Sequence, residues 1–147
     1  MPEKVTLDRA ERDKREGKAP STQAGEFVRE EIEHVREGKH GARSARQAIA
    51  IGLSKARRAG VKMPPPPNGS TSRRTRRQAA RETRAASRAV STRRSRATLR
   101  ALTKEGRAAG SRDALSRQAR RASARRSRKS RSGAARRAAA TRKRTAR

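Results

Sequence analysis

The sequence predicts a mostly α-helical protein with extensive disorder: a small antiparallel two-helix hairpin, a polyproline linker, and an Arg/Ala-rich tail that is disordered or becomes helical on binding. Three observations carry this. First, 43 Lys and Arg stand against 13 Asp and Glu in 147 residues, a formal charge of +30, while hydrophobic residues make up only 30% and aromatics 1%. Fixing one residue costs about 1–2 kcal/mol of backbone entropy, and a chain so poor in apolar surface has little to offset it. Second, the large apolar residues gather between positions 21 and 63. Third, the charge is uneven: residues 1–63 hold 15 basic and 10 acidic side chains, which leaves 43 − 15 = 28 basic and 13 − 10 = 3 acidic for residues 64–147.

Residues 1–20, MPEKVTLDRAERDKREGKAP, mix both signs of charge and lack an apolar run, so neither a signal peptide nor a membrane span is expected. Thr6 can cap a short helix ending near Gly17, with only Val5, Leu7 and Ala10 to bury. Residues 21–63 form the expected core. AGEFVREEIEHVREGKHG sets Phe27, Val28, Ile32 and Val35 at helical spacing and stops at Gly38. Glu26, Glu30, Glu33 and Glu37 recur at intervals of 4, 3 and 4, which predicts one solvated acidic stripe and, as a hypothesis, a mask for the cationic tail.

The second helix opens at Ser44, where Ser44-x-x-Gln47 fits a capping box. Ala45, Ala48, Ile49, Gly52, Leu53 and Ala56 then share one face, small enough for a partner helix to come close, and Gly60 is the stop signal. A strand reading competes, because Ile49, Ile51 and Leu53 alternate with small residues. The helix is preferred for its length, its cap and its Ala, Arg, Lys and Gln content. The expected hairpin core is Phe27, Val28, Ile32, Val35, Ile49 and Leu53. Ile51 lies about 200° from Ile49 around the helix, among cations, and predicts a second interface: another subunit in a homodimer, the folded tail, or an apolar contact in a DNA groove.

Residues 64–72 read as a stiff spacer, since Pro64 to Pro67 lack amide donors and favour extended polyproline II. Residues 73–147 are low-complexity Arg, Ala and Ser. Their helix propensity is high but their cations repel, so helix is expected once they are neutralised. Val90, Leu99, Leu102 and Leu115 are too sparse for a coiled-coil seam.

Such charge is best rewarded by a polymer of phosphates, because each phosphate neutralised releases condensed counterions. DNA is the expected partner, with RNA or the ribosome as the alternative; a protein-interaction hairpin tethered by its tail is the alternative of another class. The expected phosphate contacts in the hairpin are Arg43, Arg46, Lys55, Arg57, Arg58 and Lys62. In the tail they are Arg73, Arg74, Arg76, Arg77, Arg93, Arg94, Arg96, Arg120, Arg121, Arg125, Arg126, Arg128, Lys129, Arg131, Arg136, Arg137, Arg142, Lys143 and Arg144. One Phe and no Tyr or Trp argue against base stacking, and the loop from Gly38 to Arg43 is too long for a helix-turn-helix turn.

No catalytic, cofactor or metal site is expected. The absence of Cys excludes disulfides and thiolate ligands. His34 and His40, six apart with no Cys or paired Asp, read as exposed polar residues. A cytoplasmic, nucleoid location is expected, with no membrane contact.

The run STQAGEFVREEIEHVREGKHGARSARQAIAIGLSKARRAGVKMPPP, Ser21 to Pro66, resembles small basic bacterial proteins grouped as a domain of unknown function, some labelled DNA-binding. That resemblance implies no catalytic residues. The tail is similar in composition to linker-histone tails and bacterial histone-like proteins, although those of eukaryotes favour Lys and Pro where this one favours Arg and Ser. Together these imply a nucleoid-associated protein that coats or compacts DNA with little sequence preference.

Overall fold

The computed structural model describes residues 1–85 and 91–145, and every α-helix or 3-10 turn among them is joined by irregular chain, with no strand. The helices are α1 (Lys4–Arg15), α2 (Pro20–Glu37), α3 (Ala45–Arg58), α4 (Arg73–Arg84), α5 (Thr92–Leu102), α6 (Arg112–Ala124) and α7 (Arg128–Thr145), with a 3-10 turn at Ala108–Gly110. Val90, part of the sparse apolar set expected in the tail, lies outside the described residues. The chain divides into two compact units, Met1–Ser111 and Arg112–Arg147.

This overturns the expected extensive disorder, and with it the lone hairpin and polyproline linker. The α2–α3 pair exists, but α1 packs on α2, α4 packs on α3, and the 3-10 turn packs on both α2 and α3. The expectation failed because it counted large apolar side chains, whereas this core is built from small ones. Ala24, Ala48 and Ala56 are fully buried, and Ala10, Ala42, Ala45, Ala79 and Ala109 nearly so. One cluster joins Ala10, Ala24, Phe27, Ala56 and Val61, with Leu53 and Met63 against it; another joins Val35, Ala42, Ala48 and Ala109. Of the expected core, Phe27 and Val35 are buried, while Val28, Ile32, Ile49 and Leu53 are only half-buried.

Small residues matter here because they set the distance between backbones. At Gly52 a Cβ atom would stand 2.6 Å from Val28 Cα and 2.9 Å from Val28 N, so α2 and α3 meet backbone to backbone. Dispersion is gained along the whole seam without large side chains. The α3 N-terminus follows its sequence signal with one change: Ser44 Oγ accepts from the Gln47 amide at 3.2 Å, but Gln47 Oε1 accepts from the Arg43 amide at 2.7 Å, one residue before the cap. The α2 C-terminus closes on Gly38 at φ 78°, a left-handed cap in which glycine carries no Cβ penalty.

The α1 helix is anchored more firmly than its sequence suggested. Its cap residue Glu3 donates its amide to Glu30 Oε2 at 3.0 Å, Thr6 and Ala10 are buried, and buried Asp13 accepts from Lys18 at 2.8 Å. Val5 and Leu7, which were expected to do the burying, are exposed.

Residues 64–72 turn the chain back so that α4 lies on α3. Arg76 Nε donates to the Pro66 carbonyl at 2.9 Å, and Thr83 Oγ1 donates to the Met63 carbonyl at 3.3 Å. Glu82 accepts from Ser54 Oγ at 2.7 Å, so α4 runs along the α3 face that Ile51 shares with Ser54 and Arg58. Ile51 itself is half-buried.

The segment after α5 closes over the loop joining α2 to α3. Gly41 donates its amide to the Leu102 carbonyl at 2.9 Å and Ala42 to the Gly106 carbonyl at 3.1 Å. A Cβ at Gly41 would collide with the Glu105 backbone, so the loop needs glycine there. Arg36 Nε donates to the Gly110 carbonyl at 2.7 Å, which fastens the 3-10 turn to α2.

In the second unit, α6 half-buries Ala114, Leu115 and Gln118. Ser127 starts α7 by accepting the Ser130 amide on its Oγ at 3.1 Å.

Candidate nucleic-acid interface

The structure sorts the hairpin cations into two kinds. Lys55 is half-buried, and its Nζ stands 2.7 Å from Glu31 Oε2 and 3.3 Å from Glu30 Oε1. Arg57 is 6% exposed and faces Glu82 at 4.0 Å. Both are committed to carboxylates of the fold. Arg58 is more open and meets Glu82 at 3.4 Å, and Arg43, largely exposed, lies 3.5 Å from Glu105. Arg46 and Lys62 are exposed and form no ion pair among the described residues.

The tail cations are nearly all at the surface. On α4, Arg73, Arg74 and Arg77 are exposed, whereas Arg76 is half-buried on the Pro66 carbonyl. On α5, Arg93, Arg94 and Arg96 are exposed, and Arg100 joins Arg93 and Arg96 on one face. At 1.5 Å rise per residue that face spreads three guanidinium groups over about 10 Å. Arg120 and Arg121 on α6, Arg125 and Arg126 in the connection, and Arg128, Lys129, Arg131, Arg136, Arg137, Arg142, Lys143 and Arg144 on α7 are exposed as well. Arg126 also reaches Ser130, and Arg131 reaches the Ser123 carbonyl at 3.4 Å. Residues 112–147 contain 15 basic side chains and one acidic one, Asp113. Arg100 on α5 and Arg112 and Arg117 on α6 are exposed too and were not singled out in the sequence, since nothing but composition marks them.

The rare acids of the cationic half are informative. Of its three, Glu82 and Glu105 are the ones that pair with Arg57, Arg58 and Arg43. Their scarcity was the available signal.

The expected acidic stripe is divided between surface and interior. Glu33 pairs with Arg29 at 3.1 Å and Glu37 with Lys39 at 3.1 Å, both exposed. Glu26 faces Arg9 at 3.8 Å. Glu30 is buried, and its carboxyl is held below the ordinary value: burial pushes it up, but the Thr6 hydroxyl, the Glu3 amide and Lys55 together outweigh that. Glu26, Glu30, Glu33 and Glu37 line a recess of about 190 Å³ together with Glu3, Thr6, Arg9, His34 and Lys39. Glu3 is also held low, first by the hydrogen bond from His34 and then by Lys39.

Glu31 was not part of the expected stripe, yet it is fully buried. The two histidines converge near it and are not the exposed polar residues expected. His34 is 13% and His40 8% exposed at the side chain, with ring centroids 5.9 Å apart, edge to face. His40 Nε2 lies 3.2 Å from Glu31 Oε1, and its Nδ1 lies 3.1 Å from the Gly41 carbonyl. His34 Nε2 lies 2.9 Å from Glu3 Oε1.

No helix among the described residues is long and apolar enough to cross a membrane. Comparison with known families matches residues 14–66 to a family of unknown function (DUF6496). The match spans the end of α1, all of α2 and α3, and the first prolines, and leaves α4 to α7 outside it. No curated protein matches the chain. No solved structure matches it.

Proposed function

We propose that this protein binds nucleic acid through its phosphates, with DNA as the partner, and that it coats or compacts the duplex with little sequence preference at the nucleoid. The observation that supports this best is the run of arginines exposed on successive turns of α5 in the first unit and, separately, of α6 and α7 in the second, where Asp113 is the sole acid in residues 112–147. Guanidinium groups grip phosphate oxygens bidentately and also enter a narrow minor groove. Apart from exposed Asp8, the acids of the first unit pair with cations of that unit, so they compete little with phosphate. Within it, Arg46, Lys62, Arg73, Arg74 and Arg77 are the cations best placed for contact.

Anisotropy titration of a labelled duplex against salt tests this reading. With about ten phosphates engaged, log K falls against log salt with a slope near −9, at about −0.9 per phosphate. Duplexes of different sequence should bind within a few-fold of one another. A slope near zero, or RNA helices bound far more tightly than DNA, would overturn the DNA assignment.

A further inference from the structure

We propose that Glu31, His34 and His40 form a binding site for one divalent transition-metal ion of the zinc class. One ligand atom from each lies within 4.8 Å of the other two. The hydrogen-bond chemistry around them points to a cation. The Gly41 carbonyl can only accept, so His40 Nδ1 carries the proton there, and in the neutral ring Nε2 presents a lone pair. That lone pair faces Glu31 Oε1 at 3.2 Å, acceptor against acceptor. Glu31 is fully buried, and neither of its oxygens receives a directional hydrogen bond, although Lys55 Nζ stands 2.7 Å from Oε2. Two buried carboxylates, Glu30 and Glu31, share this one ammonium. The site is short of positive charge.

The distances suit a metal. Ligands at about 2.0–2.1 Å in tetrahedral array stand about 3.3 Å from each other, close to the separation of Glu31 Oε1 and His40 Nε2. Each histidine also has an outer partner of the kind that orients metal-bound imidazoles: His40 has the Gly41 carbonyl, and His34 has Glu3 Oε1. With Nε2–H given to Glu3, the lone pair of His34 lies on Nδ1. His34 is the most open of the three, and its ring supplies the small movement that closes the set. Two nitrogens, one carboxylate oxygen and a water would complete four-coordination, a set that suits zinc and excludes magnesium. The ion would tie α2 to the loop at Gly38–Ala42, which is the loop that holds the Leu102 and Gly106 carbonyls.

These are the only two histidines in the chain, and it has no Cys, so uptake can be assigned without ambiguity. Full-length, nucleic-acid-free protein is titrated with zinc chloride against a chromophoric chelator, and the two imidazole side chains are followed by 15N NMR. One zinc per chain is expected, with a metal-dependent shift at Nε2 of one ring and Nδ1 of the other, and no response to magnesium. His34→Gln, at the more open position, is expected to weaken binding at least about ten-fold with its helical content intact, and Glu31→Gln to abolish it. Zinc binding that is absent, that leaves both rings unshifted, or that is equally tight in His34→Gln overturns the site. So does a His40 ring protonated on both nitrogens that takes up no metal, since a proton then fills the gap.

Discussion

The Lys55 ammonium lies 2.7 Å from the carboxylate of Glu31, a residue with no solvent exposure. A half-buried lysine in a strongly basic chain is thereby engaged by carboxylates of the fold. Replacing Lys55 by Met leaves Glu30 and Glu31 buried without their ammonium. The expected cost is about 3–5 kcal/mol, read as a lower urea midpoint. Salt-dependent DNA affinity of the folded protein should be nearly unchanged, which separates this residue from a phosphate contact.

Glu82, which accepts from Ser54 Oγ and pairs with Arg57 and Arg58, joins α4 to α3. Glu82→Gln strands the nearly buried Arg57 guanidinium. Hydrogen exchange should then accelerate across Arg73–Arg84 and leave the amides of α2 protected. Uniform acceleration throughout the first unit would mean that α4 does not open by itself.

Two glycines in neighbouring helices should respond in opposite ways to alanine. At Gly52 the new methyl meets the Val28 backbone, an overpacking cost of about 1–3 kcal/mol that the helix-propensity gain of about 1 kcal/mol reduces without cancelling. At Gly25 a Cβ meets nothing, and alanine should stabilise by about 0.5–1 kcal/mol. Thermal midpoints of the two variants decide this, and equal signs would contradict the close crossing.

Acid should weaken the first unit in a defined range. Glu3 and Glu30 have folded values below the ordinary 4.5, so the folded state favours their ionised forms. Their contribution is complete above that ordinary value and is lost as pH falls below it through the folded values. The thermal midpoint is expected to fall most steeply below pH 4.5, and Glu3→Gln should flatten that fall. A variant as acid-sensitive as the parent would show that other carboxyls dominate.

Removing charge from α7 tests its share in nucleic-acid binding. With Arg136, Arg137, Lys143 and Arg144 changed to Gln, each lost phosphate contact should flatten the salt slope by about 0.9. Helical content of the first unit should not change. An unaltered slope would place the contacts elsewhere.

Much of the local structure was legible in the sequence. The cap at Ser44, the stops at Gly38 and Gly60 and the face carrying Phe27 and Val35 are set by interactions within a few turns, and the small residues around Gly52 marked where a partner helix comes close. Periodicity and backbone preference report these directly. The stabilisation of α1, the packing of α4 on α3 and the closing of the segment at 102–110 over α2, α3 and their loop were not legible. They depend on alanines that fit only at one helix spacing and on individual acids, Glu30, Glu31, Glu82 and Glu105, meeting individual cations far along the chain. Summed charge predicts repulsion, whereas the folded chain places opposite charges in contact at a few buried points. By itself the sequence determined the helices and the cationic character; only the tertiary structure decided which cations face solvent and that the two histidines converge near Glu31. Net charge is additive along a chain, but burial and pairing are not.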